Sequence, residues 1–338
     1  MKTIEFMLQE LWKKAVTLEV TDIHFLPIGQ HIKVYFRANG IRTEEAHYTP
    51  KDYSKILSHL KFLSGMDIGE TRKPQNGVLS IQINQMPYSL RLSTLPAAPT
   101  ESLAIRLLPL RSKSSLLDLF LFPTQILKIL RWIENPSGLI LLTGPTGSGK
   151  TTTLYALMEY LIQNHTYQMI TLEDPVEKIV DNAIQVQVNE NAGITYQTGL
   201  KAALRHDPDI LMVGEIRDRE TAKFAVQAAY TGHLVLTTLH AKNTFGAIFR
   251  MEDLGVSSND LSQVLVAIAS QQLITLTPKN SLETDPLQKR VAILEMLDGP
   301  VLERAIQGHS PYLLPYFHSF YHIRRKAYAL GFINESQL

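Results

Sequence analysis

Gly144, Pro145, Thr146, Gly147, Ser148, Gly149, Lys150 and Thr151 fill the pattern G-x-x-x-x-G-K-[ST] at every fixed place. Glycines at these positions let successive backbone N–H groups turn inward and form a nest for an anion. Thr152 continues the run into Thr153-Leu-Tyr-Ala-Leu-Met158, a good helix former, so the loop opens onto a helix N-terminus whose dipole also favours negative charge. In such a loop a lysine at position 150 reaches the β- and γ-phosphates, and a threonine hydroxyl at 151 can hold Mg²⁺. The chemistry these residues point to is binding of a nucleoside triphosphate.

Three further clusters carry groups suited to hydrolysis. The first is Thr171-Leu-Glu-Asp-Pro-Val-Glu177, in which Glu173 and Asp174 follow an apolar run. A carboxylate there could orient or deprotonate water. The second is Asp207-Pro-Asp-Ile-Leu-Met-Val-Gly-Glu-Ile-Arg-Asp218, where an apolar segment delivers Glu215. Glu215 is expected to hold Mg²⁺, partly through water, or to position the attacking water. Which of Glu173 and Glu215 is the general base stays open at this point. Asp218 reads as the N-cap of a following helix. The third is Thr231-Gly-His-Leu-Val-Leu-Thr-Thr-Leu-His-Ala-Lys-Asn243, where His233 and His240 bracket a buried strand and either could sense the γ-phosphate.

The elements that must position these groups follow from hydrophobic pattern and turn residues. The run Leu139-Ile-Leu-Leu142 before the loop reads as a buried strand, giving strand, loop and helix in order. Strands are expected at 168–172, 183–188, 210–213 and 234–238, with helices before Arg205 and over 219–230. That alternation argues for a mainly parallel sheet with helices on both faces, so that the clusters sit at strand ends where open α/β sheets bind ligands. From Thr244 onward the pattern reads as mostly helical, with one further strand at 290–297.

Residues 1–108 read as a separate α/β domain. Ile4, Met7, Leu8, Leu11, Trp12 and Ala15 recur at helical spacing. Strand-like runs follow at 31–36 and 40–45 around an Ala38-Asn39-Gly40 turn, then a helix over 50–63, then strands at 77–83, 88–95 and 103–108. A linker is expected over 109–122, and the triphosphate-binding domain over 123–338.

Composition narrows the function class. The chain has 338 residues, a net charge of +1 and no cysteine. Disulfides, thiolate zinc sites and cysteine nucleophiles are excluded. A near-neutral charge, without a basic aromatic-rich stripe, argues against a protein that grips nucleic acid directly. No apolar stretch approaches the ~18–20 residues of a membrane span. Glu5 and Glu10 interrupt the first apolar residues, which read as a docking face rather than a signal peptide. No Asn/Thr-Lys-x-Asp element follows the core strands, which argues against a guanine-specific enzyme.

The order of the four clusters resembles the secretion ATPases of type II secretion systems, type IV pili and competence pili, over most of the chain. TLEDPVE is similar to that family's Asp box, LRHDPDILMVGEIRDRETA to its atypical Walker B region, and TGHLVLTTLHAKN to its His box. The first domain agrees through TDIHFLP, Phe36-Arg-Ala-Asn-Gly40, Arg91-Leu-Ser-Thr-Leu-Pro96 and Ala104-Ile-Arg-Leu-Leu108. The resemblance implies an α/β fold, with a RecA-like P-loop ATPase core and a smaller PAS-like N-terminal domain. It implies ATP and Mg²⁺, a homo-hexameric ring, and arginines of the first domain, best matched by Arg91 and Arg106, approaching the phosphates. It also implies a cytoplasmic motor at the inner face of the membrane, acting through a membrane platform protein.

Departures from the family pattern refine the expectation. Gln75-Asn-Gly-Val78 stands where many relatives have Gln-Asp-Gly-Arg, and Gln271-Gln-Leu273 where many have Gln-Arg-Leu. Neither the four-cysteine zinc module nor a long N-terminal extension is expected. The pattern is most similar to the competence pilus ATPases of Gram-positive bacteria, whose product would be a pilus for DNA uptake. Pilus retraction and type II secretion are the alternatives within the family, and a RecA-like ATPase acting on nucleic acid is the alternative outside it.

Overall fold

The computed structural model describes residues 3–38, 40–110, 116–189, 192–277 and 290–338. Asn39 of the expected turn and residues 111–115 of the expected linker lie outside the described residues. The chain divides into two compact units, Met1–Ser112 with Glu177–Ile179, and Lys113–Val176 with Val180–Leu338.

The first unit is an antiparallel sheet with two helices. Helix α1 (Ile4–Thr17) begins at Thr3, whose hydroxyl accepts from the Phe6 amide, and buries Leu8, Leu11, Trp12 and Ala15. That spacing puts one apolar stripe on one face. The strands β1 (Asp22–Ile28), β2 (His31–Ala38) and β3 (Ile41–Tyr48) precede α2 (Pro50–Leu63), and β4 (Gln75–Ile83), β5 (Met86–Leu95) and β6 (Ser102–Pro109) follow it. Thr49 caps α2 and Pro50 starts it, where a missing N–H costs nothing. The sheet order is β3-β2-β1-β6-β5-β4. Thr21-Asp-Ile-His-Phe-Leu-Pro27 is therefore largely strand, at the centre of the sheet. Ile23, Phe25, Val34, Phe36, Leu90, Leu92, Leu103 and Ile105 alternate onto one face and form a core with Tyr53, Ile56 and Leu60 of α2.

The second unit is the three-layer α/β core that the alternating pattern predicts. A short α3 (Leu116–Leu119) and α4 (Pro123–Ile133) lead into β7 (Gly138–Thr143), α5 (Lys150–Asn164), β8 (Met169–Glu173) and β9 (Ala183–Gln187). Next come α6 (Tyr196–Ala203), β10 (Ile210–Ile216), α7 (Arg219–Tyr230), β11 (Leu234–Leu239), α8 (Thr244–Asp253), α9 (Ser258–Val264) and β12 (Leu265–Thr275). The described chain closes with β13 (Arg290–Asp298), α10 (Gly299–Ile306) and α11 (Phe320–Ala329). The sheet order is β13-β12-β7-β11-β10-β8-β9. Each neighbouring pair is parallel except the antiparallel β12–β13 edge.

Parallel strands covered on both faces are apolar without alternation. β7 and β11 are accordingly buried at every residue. Successive residues serve opposite layers. Leu139, Leu141, Leu211, Val213 and Val235 pack with α7, α8 and α10. Ile140, Leu142, Ile210, Met212 and Leu236 pack with α4 and α5.

One expectation is overturned. The region after Thr244 is not mostly helical with a single strand, because Leu265–Thr275 is an eleven-residue strand beside β7. Its buried run Leu265-Val-Ala-Ile-Ala-Ser-Gln-Gln-Leu-Ile-Thr275 lacks period two, and α9 runs directly into it. A buried apolar run of this kind cannot be told from a helix by periodicity.

Candidate active site

The candidate site lies along the carboxyl edge of the parallel sheet in the second unit. β7 ends at Thr143 and passes into the glycine-rich loop, and Gly149, at φ +86°, caps α5 in the left-handed region. Gly144 (φ +139°) and Gly147 (φ +79°) also take backbone conformations that residues with a β-carbon rarely adopt. Lys150 is buried, and its ammonium donates to the carbonyl oxygens of Gly144 at 2.9 Å and Pro145 at 3.1 Å. Burial lowers the Lys150 pKa below the usual lysine range, and the charge of Glu215 opposes that shift. The Ser148 hydroxyl is buried and has no hydrogen-bond partner among the described residues. An orphaned donor inside an inward-turned loop fits a phosphate oxygen.

The register brings the acidic clusters level with this loop. Val213 of β10 lies beside Leu172 of β8 and Thr237 of β11, so Glu173, Glu215 and His240 all emerge at the same edge. Their environments differ. Glu173 is 3% exposed and accepts from Thr171 Oγ1 at 2.6 Å, Gln185 Nε2 at 3.2 Å and the Tyr155 hydroxyl of α5. It is thus a buried carboxylate that accepts from hydroxyl and amide donors, not a solvated turn residue.

Glu215 is partly open to solvent and pairs with Arg217, while His240 Nε2 lies 3.3 Å from its other oxygen. The bond to Glu215 raises the Arg217 pKa. Asp174 completes the group, 3.6 Å from Arg217. Burial, with the nearby charges of Asp174 and Glu215, raises Tyr196 well above the ordinary tyrosine range. The β11 turn into this edge is pinned from both sides: Ala241 N donates to Thr143 Oγ1 at 2.9 Å, and Thr238 Oγ1 donates to the Gly214 carbonyl at 2.8 Å.

The two histidines separate. His233 precedes β11, and its Nδ1 lies 3.1 Å from both Thr231 Oγ1 and the Ala228 carbonyl at the amino edge of the sheet. At about 3.3 Å per strand residue, His233 and His240 are roughly 20 Å apart. The expectation that either could sense a γ-phosphate therefore narrows to His240 within one chain. Asp218 caps α7 by accepting from the Thr221 amide at 2.8 Å, as its place before Arg219 predicts.

In the first unit Arg91 and Arg106 are directly opposed across β5 and β6, and Asp22 of β1 opposes Arg106. The three share the sheet face that points away from the apolar core. Arg106 Nε bonds Asp22 Oδ1 at 2.8 Å, and Arg91 Nη2 bonds Glu177 Oε1 at 3.1 Å. The Nε of Arg91 is buried without a partner among the described residues.

No cluster of three or more His, Cys, Asp or Glu side chains among the described residues could by itself hold a metal. A hydroxyl at Thr151 and a carboxylate at Glu215 suit a cation whose remaining ligands are phosphate oxygens and water, as Mg²⁺ prefers. Two residues missed in the sequence join this edge. Arg217 was legible only as a charge within its cluster. Gln271 of β12 touches the loop, and the misread strand hid it.

With this geometry in place, the relatives are informative. The family model described as "Type II/IV secretion system protein" matches residues 1–300. The chain is 40% identical to the "Competence protein ComGA" of Bacillus subtilis (strain 168), covering 98% of this chain and 96% of that protein. It is 39% identical to the "Type II secretion system protein E" of Klebsiella pneumoniae over 79% of this chain and 54% of that longer protein. Among solved structures it matches the pilus retraction motor PilT with bound ADP at a TM-score of 0.78 and 28% identity, covering 98% of this chain and 95% of that one. The Legionella pneumophila ATPase DotB shares the fold at a TM-score of 0.75 and 19% identity.

Proposed function

This chain belongs to the family of type II/IV secretion system proteins, and from that membership and the geometry of its sheet edge we propose that it is a Mg²⁺-dependent ATPase motor driving assembly of a competence pilus for DNA uptake. The observation that carries the enzymatic part is the convergence of Lys150, Glu215 and His240 on one sheet edge beside the glycine-rich loop. Near end-to-end likeness to a competence protein, at 40% identity, favours competence over the other branches of the family.

The roles divide by environment. The backbone N–H groups of the loop 144–152, all but that of Pro145, which has none, and the Lys150 ammonium bind the phosphates. Lys150 must leave the Gly144 and Pro145 carbonyls to do so, and its burial makes an anionic partner favourable. Mg²⁺, when bound, offsets charge on the β- and γ-phosphates. Thr151 and Glu215 are the residues proposed to hold it, partly through water. Glu215 is aimed by its contact with His240, and its charge is offset by Arg217 until that pairing loosens. Glu173, buried and accepting from the Thr171 and Tyr155 hydroxyls, is the proposed carboxylate that orients a water. His240 is the γ-phosphate sensor of this reading. Arg91 and Arg106 are the proposed donors of guanidinium charge from the first unit, as in phosphoryl-transfer enzymes that use arginine fingers.

The proposed assembly is a homo-hexameric ring at the cytoplasmic face of the membrane, coupled to a membrane platform protein. No helix among the described residues is long and apolar enough to cross a membrane, which suits a motor that acts through a partner. The domain division proposed is 1–108, a linker over 109–122, and 123–338. Deleting the gene tests the direction of the motor: loss of filaments and of transformation is expected, whereas surplus filaments would point to retraction.

A further inference from the structure

The glycine-rich loop is held from outside by a strand that takes no part in the four clusters. Gln271 of β12 is 1% exposed. Its Nε2 donates to the Ser148 carbonyl oxygen at 2.7 Å, and its Oε1 accepts from Thr153 Oγ1 at 2.9 Å. Because a carbonyl can only accept, the amide has one orientation here. One side chain therefore ties the loop to the first turn of the helix that follows it.

The backbone of Gln271 is equally close. A β-carbon at Gly144 would meet the Gln271 carbonyl oxygen at 2.4 Å, and one at Gly149 would meet Gln271 Nε2 at 2.9 Å. The loop is thus moulded on β12. The strand is itself fixed by the ladder from Ile268↔Leu141 to Ser270↔Thr143, and on its far side by Arg324 of α11, whose Nη2 donates to Gln272 Oε1 at 2.9 Å.

We propose that Gln271 is a positioning residue of the ATP site, setting the shape of the phosphate loop through the Ser148 carbonyl and the Thr153 hydroxyl. The inference rests on the proposed ATPase reading. The amide holds the Ser148 carbonyl outward, which leaves the amides of the loop turned inward toward the phosphates. Without it, the loop must be reordered each time nucleotide binds.

The test is titration of the full-length protein with a non-hydrolysable ATP analogue, with melting temperature measured alongside. Gln271→Met removes both hydrogen bonds at similar volume and is expected to weaken the analogue by about ten- to a hundredfold. Gln271→Glu sets a carboxylate against the Ser148 carbonyl beside the phosphate site, and should weaken it further. Thr153→Val keeps shape, removes one bond and serves if the Gln271 variants fail to fold. Its loss should be smaller, and the double variant Thr153→Val/Gln271→Met should lose less than the sum of the two. A merely structural role would lower the melting temperature and leave the dissociation constant at its wild-type value, which would overturn the proposal. No binding by the wild type would overturn both readings, and wild-type binding with unchanged variants this one alone.

Discussion

Alanine at the three loop glycines should separate backbone freedom from packing against β12. Gly147 takes φ +79° with nothing within 4 Å of an added β-carbon. Alanine there meets only the left-handed penalty of about 1–2 kcal/mol. At about 1.4 kcal/mol per decade, ATP affinity should fall roughly five- to thirtyfold. Gly144 takes φ +139°, and its added β-carbon would lie 2.4 Å from the Gln271 carbonyl oxygen and 2.9 Å from Ser148 Oγ. Backbone strain of about 1–3 kcal/mol and overpacking of about 1–3 kcal/mol combine there. The middle of that sum, about 4 kcal/mol, corresponds to a loss of roughly a thousandfold. Gly149→Ala should fall between them, since its added β-carbon meets the Gln271 side-chain amide at 2.9 Å rather than a backbone carbonyl at 2.4 Å. The assay is fluorescence titration of a labelled ATP analogue, with thermal unfolding to confirm that each variant is folded. A Gly147→Ala variant as damaged as Gly144→Ala would refute the reasoning, because it would make conformational freedom alone the source of the requirement.

Two further outcomes follow from particular contacts. His240→Ala should lower kcat for ATP by about a hundredfold, the scale of a lost charge-stabilising group. His233→Ala should leave kcat within about threefold and cost about 1 kcal/mol of stability from its lost hydrogen bonds; equal effects on kcat would contradict the placement of the two residues. In the first unit, Lys61 (1% exposed) bonds Glu101 (3% exposed) at 2.6 Å and donates to the Glu70 carbonyl at 2.7 Å. Lys61→Met leaves Glu101 buried without its counter-charge and should cost about 3–5 kcal/mol in denaturant unfolding. Adding Glu101→Leu should restore much of that loss, and a loss of under about 1 kcal/mol in the single variant would contradict it.

Much of the site was legible because its chemistry is local. The glycine-rich loop, Lys150 and Thr151 are read from eight consecutive residues, and Glu215 from the buried strand that delivers it. The parallel core was legible because two-sided burial gives continuous apolar runs, Leu139–Leu142 in β7, Ile210–Val213 in β10 and Leu234–Leu236 in β11. What stayed hidden depends on neighbours far away in the chain. The burial of Glu173 is set by Tyr155 on α5 and Gln185 on β9. The opposite fates of His233 and His240 were implicit in a parallel sheet, because they bracket one strand and only its carboxyl end lies level with the loop. β12 carries alanines and glutamines in a run without period two, so Gln271 was visible only as part of a departure from the family's Gln-Arg-Leu. The antiparallel partners of Arg91 and Arg106 needed the register of three strands.

The most direct test is steady-state ATP hydrolysis by the purified chain with Mg²⁺, comparing the wild type with Lys150→Ala and Glu215→Gln. The account predicts turnover by the wild type and a loss of about a hundredfold or more in each variant, with ATP still bound by Glu215→Gln. Wild-type turnover in either variant would contradict the assignment of hydrolysis to this edge of the sheet.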